Sequence, residues 1–294
     1  MIMNMSAGAN IQPVVGKLLS TLNVGDTLEV PVVSDWQSRF GANIVWKVAD
    51  KNHTGYPTDS VTLITDKIIQ IMAWDAKEPS NSNSSRKNNG NNRHIYSNLL
   101  QWLNSNATAG NWYSPKHSAD QAPMDTYVTY NPYALWKGFL GMLQIEFIDE
   151  ILDTTLTVQK SATDGGGYET FAAKMFLAST TEVGLANESN IAEGALLALF
   201  SNDASRAAYP TVECVNNSDG YSNSGFTTSK RWYWWLRTPN SSSATYVFNV
   251  YSDDSPGNFG AASANVGVRP LCNLPGSLRV SESPNAAGNY TLLD

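Results

Sequence analysis

The sequence predicts an α+β domain, and three observations carry that prediction. Short β-branched runs crowd both ends of the chain, and amphipathic segments with helical spacing occupy the middle. No βαβ alternation and no fixed-period repeat connects them. Residues 1–20 read as an N-terminal attachment arm. VGDTLEVPVV (24–33) then gives a turn and an alternating strand, NIVWKVADKN (43–52) a strand entering a turn, and DSVTLITDKIIQIMAWD (59–75) one or two more β-branched runs.

KEPSNSNSSRKNNGNNR (77–93) has too little apolar surface to bury and is expected to be an exposed, mobile loop. Asn91 or Asn92 would cap the helix that follows, HIYSNLLQWLN, with Ile95, Leu99, Trp102 and Leu103 on one face. A second helix is expected over 134–152, where Leu135, Phe139, Met142, Leu143, Phe147 and Leu152 form an apolar stripe interrupted by two glycines. Segment 153–180 reads as strand, Gly-rich turn and strand, and 191–208 as one or two short helices. Strands return at 231–237, 245–251 and 266–273, and residues 276–294 form a tail that ends in a short strand, NYTLL.

Charged residues make up only 15% of the 294, against a usual quarter, and Asn, Ser, Thr and Gly take their place. Such a surface leans towards extracellular, adhesive or virion proteins. A net charge of −7 without a basic block argues against nucleic acid or an anionic membrane as partner. MIMNMSAGAN has neither a charged n-region nor an apolar h-region, so no secretory signal is expected, and no apolar run is long enough to span a bilayer. Cys214 and Cys272 are too few for a disulfide framework or a metal quartet; they are either two reduced thiols or one bridge.

KRWYWWLRTPN (230–240) is the densest aromatic stretch. As a strand it splits by alternation: Trp232, Trp234 and Leu236 face a core, while Arg231, Tyr233, Trp235 and Arg237 line the opposite side. The chain offers few catalytic footholds. His53, His94 and His117 lie in a turn, at a helix start and in a Pro-flanked loop, outside any zinc spacing, so solvated or capping roles are expected. Glu146, Asp149 and Glu150 make a solvated helix face, DGGG (164–167) lacks the rest of a phosphate loop, and G-x-S-x-G is absent. Neither a catalytic set, a metal site nor a cofactor is expected. The segment NSSSATYVFNVYSDDSPGNFGAASAN (240–265) instead has a paratope-like composition of Ser, Asn, Gly and Tyr. Asn240, Ser242, Tyr246, Asp253, Asp254, Asn258 and Phe259 are its candidate ligand-binding residues.

WYWWLRTPN, VYSDD and VGVRPLCNL together resemble a domain family of Gram-positive bacteria and their prophages with a WWLR-S/T-P … GVRPAL-x-L signature. NIVWKVADKN, SVTLITDKII, NLLQWLN, AKMFLASTTEVG and ALLALFSNDASR extend the resemblance over residues 24–275. It implies a fold similar to C-type lectin-like domains, the variety shared with formylglycine-generating enzymes. A twisted antiparallel sheet would be flanked by helices, with long polar display loops over 238–265 and a single domain over 21–275. Trp46, Trp102, Trp232, Trp234, Leu236, Arg237 and Arg269 would be its structural core. Calcium-lectin triplets and a catalytic cysteine pair are not matched here. The resemblance therefore implies a non-enzymatic virion protein, made in the host cytoplasm and assembled on the capsid, tail or baseplate. Its expected partners are further copies of itself, other virion subunits and host-envelope carbohydrate or protein. A bacterial surface binding module and a formylglycine-generating-type enzyme are the alternatives.

Overall fold

Alternation in TLEVP and NIVWKVADK sends Leu28, Val30, Ile44, Trp46 and Val48 inward, and the two segments pair antiparallel in that register. In a computed structural model, which describes residues 16–293, they are β2 (Thr27–Pro31) and β3 (Asn43–Lys51), preceded by β1 (Lys17–Leu18). There follow β4 (Ser60–Thr65), β5 (Gln70–Ile71), β6 (Thr154–Gln159), β7 (Tyr168–Ala173) and β8 (Met175–Phe176). The C-terminal third supplies β9 (Trp234–Pro239), β10 (Tyr246–Val250), β11 (Pro256–Gly260), β12 (Gly267–Val268), β13 (Leu271–Pro275), β14 (Arg279–Val280) and β15 (Asn289–Thr291). The helices are short: α1 (Gln37–Phe40), α2 (Ser84–Asn89), α3 (Asn98–Leu103), α4 (Ile145–Asp149) and α5 (Val212–Asn216). With 26% strand and 18% helix the class is α+β, and sheet dominates.

Six strands form one sheet in the order β15-β2-β3-β4-β13-β8, and five form another in the order β11-β10-β9-β12-β5. Both are mostly antiparallel; β15 on β2 and β12 on β9 are the parallel pairs. Apolar cores lie on both sides of these strands. In β4 and β13, Leu63 and Cys272 enter one core while Ile64 and Leu271 enter the other. All six residues of β4 are buried, the pattern of a strand covered on both faces. Cys214 and Cys272 lie in different cores and both are free thiols, so no bridge joins them.

Four expectations need correction. Residues 16–20 are not an arm: β1 pairs with β14, and Leu19 is fully enclosed. The rest of the predicted arm, 1–15, lies outside the described residues. The tail is likewise integrated: its expected short strand in NYTLL forms, as β15, and extends the six-stranded sheet beside β2. Segment 77–93 is not an open loop. Asn83 caps α2 by accepting from the amides of Ser85 and Arg86, and Glu78, Arg86, Asn91 and Asn92 are buried. At Gly90 (φ +74°) a Cβ would come within 2.9 Å of the Asp75 carbonyl, so only glycine permits this close approach.

The two predicted helices are shorter than their apolar spacing suggested. Ser97, not Asn91 or Asn92, caps α3 through the Leu100 amide. Over 134–152 only α4 and a 3₁₀ turn at Leu140–Met142 form. Phe139, Met142, Leu143 and Phe147 are buried, but Leu135 is 72% exposed. The cause is tertiary: the Gly138 amide bonds to the Ala107 carbonyl, and a Cβ there would stand 2.3 Å from the Ser105 carbonyl oxygen. The irregular segment 105–107 takes backbone contacts a helix would have kept for itself. Among the described residues no helix is long and apolar enough to cross a membrane.

Candidate functional site

The polar turn after β9 is held in place by an unusually buried strand. All six residues of β9 are buried, so alternation separates two interiors here and not inside from outside. Trp234 and Leu236 enter one core and Trp235 the other, its indole N–H donating to the Met72 carbonyl at 2.9 Å. The expected outer row of Arg231, Tyr233, Trp235 and Arg237 is therefore corrected: Trp235 and Arg237 are enclosed, Tyr233 is half-buried, and Arg231 alone is exposed. Trp46, Trp102, Trp232 and Arg269 are buried as well. Arg269 donates to the Thr65 carbonyl and lies 4.7 Å over the Trp234 ring.

Arg237 anchors the end of β9. Its Nη1 and Nη2 donate to Glu182 Oε2 and Oε1 at 2.6 and 2.7 Å, a bidentate pair, and Nη1 also donates to the Leu177 carbonyl at 2.9 Å. Glu182 accepts further bonds from the Tyr56 hydroxyl and the Ser179 amide. Glu193 sits beside the pair, accepting from the Gln159 amide and the Thr238 hydroxyl. Burial pushes the Glu193 carboxyl up to about 7, against the pull of Arg237 and Thr238. Burial also drives His94 down to about 3, with the Arg237 charge adding to it. His94 is thus an enclosed neutral ring packed on Trp74 and Phe171, not the solvated or capping residue expected. His53 is buried too, its Nδ1 2.7 Å from Asp50.

Beyond Pro239 the chain turns, and side chains from elsewhere grip its carbonyls. Asn92 Nδ2 donates to the carbonyls of Ser243 and Tyr246 at 2.9 and 3.0 Å, and Arg86 Nε donates to that of Ala244 at 3.0 Å. Glu188 accepts from the Ser241 amide at 2.7 Å. Ser242 and Tyr246 stay exposed, and Asn240 is half-buried with Ser242 Oγ donating to its side-chain oxygen. The turn therefore has a fixed backbone and a free polar rim.

The seven predicted ligand-binding residues do not form one patch, because 238–265 is not a set of long loops. Thr238 and Pro239 belong to β9, and β10 and β11 form a hairpin. Asn240, Ser242 and Tyr246 gather at one end. Asp253 and Asp254 lie at the other, about 13 Å along the strand. Asp254 is buried and paired with Arg231 at 2.6 Å, a structural tie and not an open ligand. The register Phe248↔Asn258 places Asn258 on the Tyr246 face, whereas Phe259, opposite Val247, joins Tyr233 and Tyr251 in a half-buried aromatic group. Sequence reasoning missed Asn92, Arg86 and Glu188. The only signal was that long polar runs supplied them, and such runs reveal no partner.

A second polar group was also unexpected. Glu78, His117 and Asp120 bring three potential ligand atoms within 4.8 Å of one another. Cys214 and Cys272, by contrast, are buried thiols pushed up by burial, which disfavours the thiolate form.

Residues 59–276 match a family model described as a domain of unknown function, DUF6273. No curated protein and no solved structure matches the chain. The matched span runs from β4 through β13 and takes in the WWLR strand, the polar turn and the GVRP segment. Covering well over half of the chain, the match shows that the protein belongs to the DUF6273 family.

Proposed function

We propose that this chain is a non-enzymatic recognition protein displayed on a phage particle, with a C-type-lectin-like fold that presents the 240–246 turn. The observation that carries the reading is the clamped turn: Asn92 and Arg86 hold its carbonyls from behind while Ser242 and Tyr246 face solvent. A preorganised backbone lowers the entropy lost on binding, and a Ser/Asn/Tyr rim suits adaptable hydrogen bonding with an aromatic contact. The poorly charged surface and the WWLR…GVRP pattern support the virion setting. Two buried thiols, pushed away from thiolate, support structural roles for the cysteines. The ligand class proposed is host-envelope carbohydrate or protein, with neighbouring virion subunits as assembly partners.

Two measurements test this. Peptides from the chain should be found by mass spectrometry in purified particles; their absence overturns the virion assignment. Added in excess, the isolated protein should slow adsorption, and Tyr246→Ala should weaken that competition without lowering stability. Competition unaffected by Tyr246→Ala and Ser242→Asp together would refute the turn as the recognition surface.

A further inference from the structure

We propose that Glu78, His117 and Asp120 form a binding site for one divalent transition-metal cation, with Zn²⁺ the best matched, on the side of the molecule built by 75–98 and 113–121. One imidazole nitrogen and two carboxylate oxygens are a borderline donor set, softer than calcium or magnesium prefers and suited to zinc. Glu78 is fully enclosed, Asp120 is 6% exposed, and the half-buried His117 leaves one open side for entry.

Independent support comes from Glu78 Oε1. It is buried without a hydrogen-bond partner, although His117 Nε2 lies 2.8 Å away. A protonated imidazole forming a simple ion pair would direct its N–H at that oxygen. Here the nitrogen and the oxygen stand 2.8 Å apart without a hydrogen bond between them, an arrangement open to two ligands of one ion. Zinc ligands at 2.0–2.2 Å from the ion would stand roughly 3.4 Å apart, so the pair at 2.8 Å would open slightly and the 4.8 Å spread would close through side-chain adjustments of about an ångström.

The surroundings are those of a supported ligand set. Asn81 donates to the other oxygen of Glu78. Asp120 accepts from the Lys116 amide at 2.7 Å and from Asn98 Nδ2 at 3.3 Å, and Asn98 itself accepts from the Ala76 amide. Such outer contacts orient ligands before a metal arrives. Charge points the same way. Asp75, Glu78 and Asp120 are three buried carboxyls in one region, and the nearby Arg86 is already engaged by Asp164 at 2.6 Å. A bound cation would offset that excess. With three protein ligands, water would complete the coordination, and the ion would tie 113–121 to the segment that clamps the polar turn.

The test uses the full chain, stripped with chelator and titrated with Zn²⁺ against a competing chromophoric chelator. One ion per chain is expected, with affinity falling at least tenfold in His117→Ala and in Asp120→Asn but unchanged in His53→Ala. Histidine-¹⁵N spectra of the unaltered chain give a readout that does not depend on any variant folding. Zn²⁺ should move the imidazole resonances of His117 and leave those of His53 and His94 in place. No stoichiometric binding, binding that shifts a different histidine, or binding of Ca²⁺ in preference to Zn²⁺ would each overturn the assignment.

Discussion

Replacing Arg237 with methionine isolates the interaction on which the end of β9 depends. The substitution keeps a long apolar stem but deletes a guanidinium that is 1% exposed and meets Glu182 at 2.6 and 2.7 Å. Glu182 has no exposure of its own and would keep only the Tyr56 hydroxyl and the Ser179 amide. Leaving one buried charge unpaired costs about 3–5 kcal/mol, more than the net worth of the pair, because desolvation is no longer repaid by attraction. The Leu177 and Glu193 carbonyls also lose a donor, which places the loss in the upper part of that range. Tryptophan fluorescence in urea reads this directly. With a slope of about 3 kcal/mol per molar for a chain this size, the midpoint should fall by about 1.3–1.7 M. Arg237→Met/Glu182→Gln should recover about 2 kcal/mol of the summed single losses, since it removes the stranded charge. A midpoint shift below about 0.3 M for Arg237→Met, or strictly additive single effects, would refute the buried-pair argument.

Three further outcomes follow from the same interior. Trp234→Ala should cost about 3–5 kcal/mol, because Trp234 is fully enclosed, stacks on Phe200 and donates to the Arg206 carbonyl, whereas Ser242→Ala should leave the urea midpoint unchanged. Glu193, raised to about 7 in the folded chain, binds its proton more tightly there than when unfolded, so it stabilises most at low pH. That contribution fades as pH rises from about 4.5 to 7, and urea midpoints of the wild-type chain should fall more steeply across this window than those of Glu193→Gln; parallel curves would contradict it. Cys214 and Cys272 should resist an aromatic disulfide reagent in the native state and both react in urea, since both are enclosed and burial holds their thiols protonated. A thiol titrating at the native protein's surface rate would contradict their placement.

What the sequence made legible was backbone regularity under local control. The alternation in β2 and β3 and the β-branched run of β4 follow from side-chain period and shape. The hairpin of β6 and β7 turns at Gly165, Gly166 and Gly167, all with positive φ, where local chemistry again suffices. The α+β class was visible for that reason. The fate of polar residues was not. KEPSNSNSSRKNNGNNR reads as solvated because it has almost no apolar surface, yet Arg86 and Asn92 are buried by the carbonyls of a turn some 150 residues away, and Glu78 by the loop carrying His117. Composition predicts exposure only when nothing elsewhere in the chain can satisfy the donors.

The same distinction explains the error over β9. Alternation reports which residues share a face, but whether a face meets water depends on what packs against it. Here a second core covers the side that Trp235 and Arg237 were expected to expose. An arginine inside such a strand needs a buried acid, and the chain supplies Glu182 and Glu193 from a segment some 45–55 residues earlier, where nothing local marks them as its partners. Trp234, Trp235 and Arg237 are thus enclosed in this arrangement. They fix where Thr238 and Pro239 end, and so where the rim of Asn240, Ser242 and Tyr246 begins. Recognition at that rim would then depend on stability terms several residues away. Substitutions at Arg237 should weaken binding through the geometry of the turn, and substitutions at Tyr246 should weaken it with the fold intact.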